Sequence, residues 1–305
     1  MRRFVVAALV VFVGGFVAFW ALTVPRAAVS ADAALERDGD AARGRAVFFA
    51  GGCASCHMTP KQDDPLRLGG GLELKSPFGS FYAPNISSHP GDGIGRWRVA
   101  DLANAMLAGV SPAGSHYYPS FPFTSYAGVR LEDVRDLMAF LRTVPAVEGR
   151  ARDHDLPFPF NLRRTLGLWK AMFAPAAAPL RDDPARTPEW NRGRYLVETL
   201  GHCAECHSPR NALGGLVAAQ RFAGGPEPDG QGWTPNITPL GLKGWTKGDI
   251  AYALDAGLTP EGDSLGASMA AVVRNMAQLP KEDRAAIAEY LLSLPAREGP
   301  PRPRK

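Results

Sequence analysis

The chain has 305 residues and a formal net charge of +4, and 46% of its residues are hydrophobic. This length is a soft prior for two domains, and the hydrophobic share excludes wholesale disorder. The charge is too small to argue for a nucleic-acid partner by itself, so none is expected. Only four cysteines are present, so the chain is not a disulfide-stapled scaffold.

The first element predicted along the chain is an apolar helix. Residues 4–24 contain no charged side chain, and these 21 residues would extend ~31 Å as a helix, enough to cross a bilayer's hydrocarbon core. A cleaved signal peptide usually has a shorter apolar core, of ~7–15 residues. Val29-Ser30-Ala31 offers small residues for cleavage, so removal of the segment is the alternative. The length of the run favours a retained anchor.

The charges around this helix predict its orientation. Arg2 and Arg3 precede it, and positive charges favour the cytoplasmic side of a membrane. We therefore expect a membrane anchor over residues 1–26, followed by a tether over residues 27–40. The soluble part would face the periplasm from a bacterial inner (plasma) membrane, since no second apolar run of similar length follows.

Two short motifs contain all four cysteines. Cys53-Ala54-Ser55-Cys56-His57 and Cys203-Ala204-Glu205-Cys206-His207 share the pattern C-x-x-C-H. On a helix, positions i, i+3 and i+4 share a face, so two thiols can form thioethers to one haem while the histidine ligates its iron. A thioredoxin-like redox pair needs no histidine and expects a βαβ context, and half a zinc site is the other alternative.

Two such motifs in one exported chain predict two covalently bound haems c. The predicted attachment residues are Cys53, Cys56, Cys203 and Cys206, and the predicted iron ligands are His57 and His207.

The surroundings of the motifs also repeat along the chain. Arg43-Gly44-Arg45 precedes the first motif and Arg192-Gly193-Arg194 precedes the second. Further matching positions are Pro84-Asn85-Ile86 with Pro235-Asn236-Ile237, and Trp97 with Trp245. We therefore predict two homologous units, residues 41–149 and 188–299, joined by an interdomain segment over 150–187 and followed by a tail over 300–305.

Each unit is expected to end with an amphipathic helix. Apolar residues with i, i+3, i+4 spacing predict these closing helices over residues 131–144 and 281–294. In the interdomain segment, apolar spacing predicts a basic amphipathic helix over residues 161–173. The favoured interpretation is that this segment packs across both units; the alternative is a docking site for a partner protein or the membrane surface.

The arrangement resembles a duplicated class I cytochrome c. More narrowly, it resembles the membrane-bound cytochrome c subunits of bacterial periplasmic dehydrogenases for alcohols, gluconate, fructose and nicotinate. The resemblance covers nearly the whole chain after the anchor and implies an all-α fold with two tandem cytochrome c domains. The best-known members carry three haems, whereas this chain has two motifs. The sequences that carry the resemblance are Ala50-Gly51-Gly52-Cys53, Pro84-Asn85-Ile86, Tyr118-Pro119-Ser120-Phe121-Pro122 and Gly201-His202-Cys203-Ala204-Glu205-Cys206-His207-Ser208-Pro209.

The resemblance implies a second iron ligand, usually a methionine in a loop before the closing helix. In the second repeat Met269 lies 24 residues after Trp245 and is the expected ligand. Met276 is its rival but would lie nearer the closing helix. The alternative for Met269 is a packing role in the core.

In the first repeat, Phe121 lies 24 residues after Trp97, and phenylalanine cannot ligate iron. His116, in the same loop, is the expected replacement; a solvated loop histidine and a five-coordinate iron are the alternatives. His89 remains another candidate. Three methionines are expected elsewhere: Met106 and Met138 in the core, and Met58 on the wrong side of the haem.

Other residues are expected to support the haems indirectly. The resemblance implies that the carbonyl groups of Pro84 and Pro235 orient the two iron-ligating histidines. Asn85 and Asn236 would hold those loops through hydrogen bonds, unless they are ordinary turn residues. Candidates for the haem propionates are Trp97 and Trp245, for which a core role is the alternative, and, more weakly, Arg43 and Arg192.

These features predict a dihaem cytochrome that carries electrons from a periplasmic dehydrogenase to quinone, an oxidase or another cytochrome of the respiratory chain. No acid–base pocket, nucleotide loop or flavin site is evident, which favours an electron-transfer subunit over a stand-alone enzyme. One alternative is a haem enzyme, similar to dihaem peroxidases, in which the first haem has an open position. Another is the dihaem electron-entry subunit of a terminal oxidase.

Overall fold

A computed structural model gives the structure of the protein and describes residues 1–227, 229–230 and 232–302. Residues 303–305 of the predicted tail lie outside the described residues. The architecture is helix-rich. Its helices are α1 (Arg2–Leu22), α2 (Ala41–Ala50), α3 (Cys53–His57), α4 (Val99–Ala108), α5 (Phe123–Tyr126), α6 (Leu131–Leu141), α7 (Leu166–Phe173), α8 (Pro188–Tyr195), α9 (Ala204–His207), α10 (Lys247–Ala256), α11 (Ala267–Met276) and α12 (Lys281–Leu292).

Two antiparallel hairpins accompany these helices, and the sequence patterns did not predict either of them. Strand β1 (Glu73–Ser76) pairs with β2 (Gly79–Tyr82), and β3 (Gly225–Pro226) pairs with β4 (Trp233–Thr234). Each hairpin follows a C-x-x-C-H helix and leads into a Pro-Asn-Ile loop. The order of helix, hairpin and loop therefore occurs twice in the chain.

Helix α1 is exposed along its length, because none of its residues is buried, although its last turn contacts Arg164 of the interdomain segment. The chain that follows it does not behave as a free tether. The backbone amides of Ala28 and Val29 donate to Asn104 Oδ1 at 2.8 and 2.9 Å. The Glu36 carboxylate accepts from the amides of Val99 and Ala100, both at 3.0 Å, at the start of α4. Residues 27–40 are thus fixed against the first repeat.

Each repeat is built on a close crossing of its first and last helices. A Cβ atom at Gly44 of α2 would lie 1.9 Å from the carbonyl oxygen of Asp136 in α6. A Cβ atom at Gly193 of α8 would lie 1.8 Å from the carbonyl oxygen of Ala286 in α12. Only glycine permits such an approach, which explains why the Arg-Gly-Arg sequence occurs before both motifs.

The closing helices α6 and α12 begin at Leu131 and Lys281, as the apolar spacing predicts. They end at Leu141 and Leu292, before the predicted limits of 144 and 294. Pro145 and Pro295 follow, and the residue before a proline is driven out of helical conformation. The last three residues of the first predicted helix and the last two of the second therefore lie beyond the observed helices.

The interdomain segment contacts both repeats. Asp155 forms a β-bridge with Ser80 of the first repeat, and the Trp169 indole donates to the Leu213 carbonyl of the second at 2.8 Å. Its helix, α7, begins at Leu166 rather than at residue 161. Two turns precede it, in which the amides of Phe160 and Leu162 donate to the carbonyl groups of Pro157 and Pro159, and these turns delay helix formation.

A single apolar core runs through both repeats. The buried side chains of α2, α4 and α6 are continuous with those of α10 and α12. The two repeats therefore cannot be separated without exposing apolar surface, which fixes the relative positions of the two C-x-x-C-H motifs.

Candidate functional site

Both C-x-x-C-H motifs lie on short helices, as their spacing predicts. Cys53 begins α3, and Cys203 directly precedes α9. None of the four cysteines forms a disulfide bond. Burial raises the pKa of both Cys53 and Cys203 to about 12. A catalytic redox pair needs a lowered thiol pKa, so these sites lack the electrostatics of a thioredoxin-like pair.

The two motif histidines are held by the same contact in each repeat. His57 Nδ1 lies 2.8 Å from the carbonyl oxygen of Pro84, and His207 Nδ1 lies 2.8 Å from that of Pro235. A carbonyl oxygen only accepts, so each Nδ1 donates and each Nε2 keeps a free lone pair. Burial lowers the pKa of both histidines, despite the hydrogen bonds to the carbonyl groups. Both rings are therefore suited to ligate iron through Nε2.

Two glycines complete this support, and no sequence pattern had singled them out. The Gly70 amide donates to the His57 carbonyl at 2.9 Å, and the Gly224 amide donates to the His207 carbonyl at 2.8 Å. Both have positive φ angles, 69° and 75°. A Cβ atom at Gly70 would lie 2.5 Å from the Pro84 carbonyl oxygen. A glycine run between each motif and its Pro-Asn-Ile loop was the signal available in the sequence.

Asn85 and Asn236 tie the Pro-Asn-Ile loops to the chain that follows the closing helices. Asn85 Nδ2 donates to the carbonyl oxygens of Val147 and Gly149 at 2.7 and 2.9 Å. Asn236 Nδ2 donates to the Arg297 carbonyl at 2.8 Å. The histidine-orienting carbonyl groups therefore lie on loops that are fixed at both ends.

The candidates for propionate contacts divide into two groups. Trp97 and Trp245 are half-buried against the core, and among the described residues neither indole N–H has a hydrogen-bond partner. Both indoles therefore have a donor to offer. The two arginines are already paired, Arg43 with Asp136 at 2.6 Å and Arg192 with Asp283 at 2.7 Å, so they stabilise the helix crossings.

Met269 and Met276 occupy different environments in α11. Met269 is half-buried in the first turn of the helix. Met276 is 4% exposed, and its methyl group lies 3.6 Å from the position of a Cβ atom at Gly201. In the first repeat the equivalent residue, Tyr126, donates from its hydroxyl to the Gly51 carbonyl at 3.0 Å. Met276 thus has a packing role beneath its motif.

In the first repeat, the loop that contains His116 and Phe121 has aromatic residues and no methionine where the second repeat has Met269. The Phe121 ring packs against Tyr117 and Tyr126, with ring centroids 5.8 and 5.6 Å apart. His116 is 4% exposed, and its Nε2 donates to the Thr23 carbonyl, with 2.9 Å between the two atoms. Its buried Nδ1 has no hydrogen-bond partner among the described residues. Ligation of iron through His116 Nε2 would require the contact with Thr23 to break.

His89 and the remaining methionines take other positions. His89 Nδ1 accepts from the backbone amide of Asp92 at 2.9 Å, in its own loop. Met106 and Met138 are buried in the core. Met58 follows α3 directly and is half-buried.

Polar contacts join each motif to a helix of the opposite repeat. Ser55 Oγ, inside the first motif, accepts from Asn275 Nδ2 of α11 at 2.9 Å. Glu205 Oε1, inside the second, accepts from the Ser125 hydroxyl of α5 at 2.8 Å. Glu205 lies 150 residues after Ser55, and Asn275 lies 150 residues after Ser125. The two contacts therefore occupy equivalent positions in the two repeats, and each repeat holds the other's motif.

Glu205 is the charged centre of this interface, and no sequence pattern had indicated its role. Its carboxylate also contacts the Thr124 hydroxyl and the Arg210 guanidinium, both at 2.7 Å. Burial raises the pKa of Glu205, but Arg210 and the two hydroxyl groups outweigh that effect and lower it. The carboxylate is ionised at neutral pH. The signal available in the sequence was that Glu205 is a polar residue at the motif position that Ser55 occupies in the first repeat.

The residues of each site fit a covalently held haem. In each site two thiols lie on or directly before one short helix, and the adjacent histidine has an oriented ring with Nε2 free. Within the described residues, no group of three or more His, Cys, Asp or Glu side chains could hold a metal ion instead. This donor set differs from that of a structural zinc site.

Comparison with known proteins gives a consistent picture. Residues 41–145 match the cytochrome c family. A diheme cytochrome c-type protein of Cereibacter sphaeroides is 51% identical over 303 residues, which cover 98% of this chain and 100% of the relative.

Relatives named as parts of dehydrogenases are more distant. A nicotinate dehydrogenase subunit of Pseudomonas putida is 38% identical over 85% of this chain and 21% of its own length. The fructose dehydrogenase cytochrome subunit of Gluconobacter japonicus is 35% identical over 84% of this chain and 52% of its own length. The chain thus spans about half or less of the length of these two dehydrogenase subunits.

Proposed function

We propose that this chain, which belongs to the dihaem c-type cytochromes, carries electrons from a periplasmic dehydrogenase to the respiratory chain. Two covalently bound haems c supply the one-electron chemistry. Relatives named as dehydrogenase subunits support a dehydrogenase as the electron donor. The proposed acceptor is a quinone, an oxidase or another cytochrome. In this role the chain is a subunit of an oxidoreductase complex.

We propose two tandem class I cytochrome c domains, residues 41–149 and 188–299. The support comes from the elements that recur in the same order. Each repeat has a glycine-mediated helix crossing, a C-x-x-C-H helix, a hairpin and an asparagine-held loop. The interdomain segment, residues 150–187, bonds to both repeats and would fix the geometry between the two haems.

The observation that carries the proposal is the pair of contacts that join each motif to a helix of the other repeat. Ser55 and Glu205 each lie between two attachment cysteines, and each is hydrogen-bonded to the other repeat. A haem attached at either motif therefore lies close to the interface. Because residues of one repeat bond directly inside the motif of the other, electrons have a short route between the two sites.

We propose Met269 as the second ligand of the iron in the second repeat. It lies on α11, the helix whose Asn275 contacts the first motif. His116 remains the proposed ligand in the first repeat, on the condition that its Nε2 leaves the Thr23 carbonyl. Thioether ligation raises the reduction potential, so the second haem would have the higher potential.

Helix α1 is proposed to anchor the chain in the bacterial inner membrane, with both haem domains in the periplasm. It has 21 residues and is the one helix among the described residues that is long and apolar enough to span a bilayer. Two arginines at its start favour a cytoplasmic N-terminus.

The electron-transfer role can be tested in native membranes. The full chain with both haems is purified with a mild detergent, and co-purifying dehydrogenases are identified by mass spectrometry. Addition of that dehydrogenase's substrate should reduce both haems, followed by their absorption bands. A variant with Cys203→Ala and Cys206→Ala is the control and should retain only the first haem. Failure of every co-purifying dehydrogenase to reduce either haem would contradict the proposal.

A second candidate function is a haem enzyme with an open first iron. The observation that favours it is that Phe121 occupies the ligand position by spacing, while His116 is bonded to Thr23. Carbon monoxide binding to the ferrous protein separates the two functions. Binding at the first haem, together with peroxide turnover, would support the enzyme; a low-spin first haem that binds no carbon monoxide would exclude it. Co-purification with a copper-containing oxidase would instead support an electron-entry subunit.

A further inference from the structure

The interdomain segment exposes a cluster of large apolar side chains beside the end of α1. We propose that residues 156–173, here called the interfacial segment, lie in the headgroup region of the bilayer that α1 spans. This inference rests on the proposed membrane anchor. The exposed apolar side chains, with their exposed fractions, are Phe158 (77%), Met172 (59%), Leu162 (46%), Phe160 (42%) and Leu168 (40%).

The interfacial segment is bonded to the last turn of α1. The Arg164 guanidinium donates to the Trp20 carbonyl at 2.7 Å and to the Thr23 hydroxyl at 2.9 Å. It also lies over the Trp20 ring, 4.1 Å from the centroid. A Cβ atom at Gly167 would lie 2.5 Å from Thr23 Cα, so the two backbones are in direct contact. The segment's position relative to α1 is therefore fixed.

The length of α1 sets the depth of this contact. A helix of 21 residues extends ~31 Å, close to the ~30 Å thickness of a hydrocarbon core. Its final turn therefore lies at the boundary between the hydrocarbon and the headgroups. Trp20, near the end of the helix, has the amphipathic ring that is enriched at this boundary. A segment bonded to Trp20 and Thr23 lies at the same level.

The charge of the interfacial segment suits a bilayer surface. It contains Arg163, Arg164 and Lys170, and no acidic residue occurs from 156 to 180. Arg163 is exposed, whereas Lys170 donates inward to the carbonyl groups of Ala108 and Gly109 at 2.7 and 2.6 Å. Basic residues beside exposed phenylalanine, leucine and methionine are typical of segments that lie in the interface of anionic membranes. The contact with α1 favours lipid over a protein partner, because it holds the apolar side chains where headgroups are already present.

Photo-crosslinking in the full chain tests the inference. The photoreactive residue p-benzoylphenylalanine replaces Phe158, Leu162 or Met172, one position at a time. The protein, with both haems attached, is placed in nanodiscs that contain phosphatidylglycerol, irradiated, and analysed for lipid adducts by mass spectrometry. The same residue at Phe12 reports on the anchor. Tyr252, an exposed aromatic residue on α10, is the matched control.

We expect lipid adducts at all three test positions, at yields several-fold above that at Tyr252. Adducts at Phe12 without adducts at the three positions would overturn the inference and leave the anchor intact. Absence of adducts at Phe12 as well would overturn both. Repetition in native membranes adds a further outcome, because adducts to a second polypeptide in place of lipid would overturn the inference in favour of a protein partner.

Discussion

The two repeats hold their C-x-x-C-H motifs by the same contacts but complete the sites differently. Pro84 and Pro235 orient the two histidines at the same distance of 2.8 Å. The loops opposite differ, because one carries Phe121 and the other continues into α11 with Met269. A covalent duplication differs here from a symmetric dimer, in which both halves must stay identical. Since each half is encoded separately, the two sites can have different ligands and different potentials.

The interface shows the same divergence at equivalent positions. The contact of Ser55 with Asn275 is neutral, whereas that of Glu205 with Ser125 carries a buried charge balanced by Arg210. The two contacts occupy equivalent positions, but only the one at Glu205 contains a charged group. An electron that moves between the sites therefore meets different surroundings at each end.

The largest effect is expected at the close helix crossing that both repeats share. Gly44→Ala and Gly193→Ala should each lower the free energy of unfolding by at least about 3 kcal/mol, because the new Cβ atom would overlap a backbone oxygen. Denaturant unfolding monitored by haem absorbance measures this. Gly248→Ala, on α10 where a Cβ atom would make only an ordinary contact, is the control and should stabilise by up to ~1 kcal/mol. A neutral Gly44→Ala variant would mean that the first crossing is not tight.

The substitution Met269→Ala tests the proposed difference between the second iron ligands of the two repeats. It should lower the higher step of a two-step redox titration by on the order of 100 mV and leave the lower step in place, because only the second site would lose a thioether. Met276→Ala is the matched control. It should cost about 2–5 kcal/mol of stability without moving either potential. A potential shift in the Met276 variant, or a single unresolved step in the parent protein, would refute the assignment.

Glu205→Gln and Ser55→Ala compare the two interface contacts. Loss of the charge weakens the bond to Arg210, so Glu205→Gln should destabilise the protein by roughly 2 kcal/mol. Ser55→Ala should cost roughly 1 kcal/mol, because Asn275 keeps its bond to the Ala271 carbonyl. Denaturant unfolding gives both values. Combining Glu205→Gln with Ser125→Ala should give less than the sum of the single effects; strict additivity would argue that the two residues do not interact.

The smallest expected effect is a pH dependence at His116. While His116 Nε2 keeps its contact with the Thr23 carbonyl, burial lowers the pKa of this histidine from the ~6.5 of a free side chain. The unfolded chain therefore binds the proton first as the pH falls, so the contribution to stability is full above about pH 6.5 and decreases below it. Thermal unfolding of the parent protein and of His116→Gln across this range measures the difference. Identical slopes in the two proteins would count against a buried neutral His116.

The sequence predicted the features that local patterns encode. The motif helices, the matching Pro-Asn-Ile loops and the starts of α6 and α12 depend on nearby residues and side-chain periodicity. Short-range rules also account for the early ends of the closing helices, since Pro145 and Pro295 were visible in the sequence.

Contacts between distant parts of the chain were not predicted. The Ser55–Asn275 bond joins residues 220 positions apart, and no local pattern encodes such a pairing. A glycine run marks the neighbourhood of Gly70 and Gly224 in the sequence, but their roles depend on the proline carbonyl groups that approach them in the fold. His116 was assigned to iron from its place in a loop, but its contact with Thr23 depends on how α1 joins the first repeat.

The clamp at the end of α1 has a consequence for encounters with partners. Arg164 and His116 hold Thr23, and Asn104 holds Ala28 and Val29, so the chain between the helix and the first repeat has no slack. A long flexible linker would let the domains sweep a volume and raise the effective concentration of a distant partner. The short, fixed connection in this protein does not allow such movement. If α1 spans the membrane as proposed, the haem domains can reach an acceptor only as far as the whole chain moves in the bilayer, with the height and tilt of the haems already set.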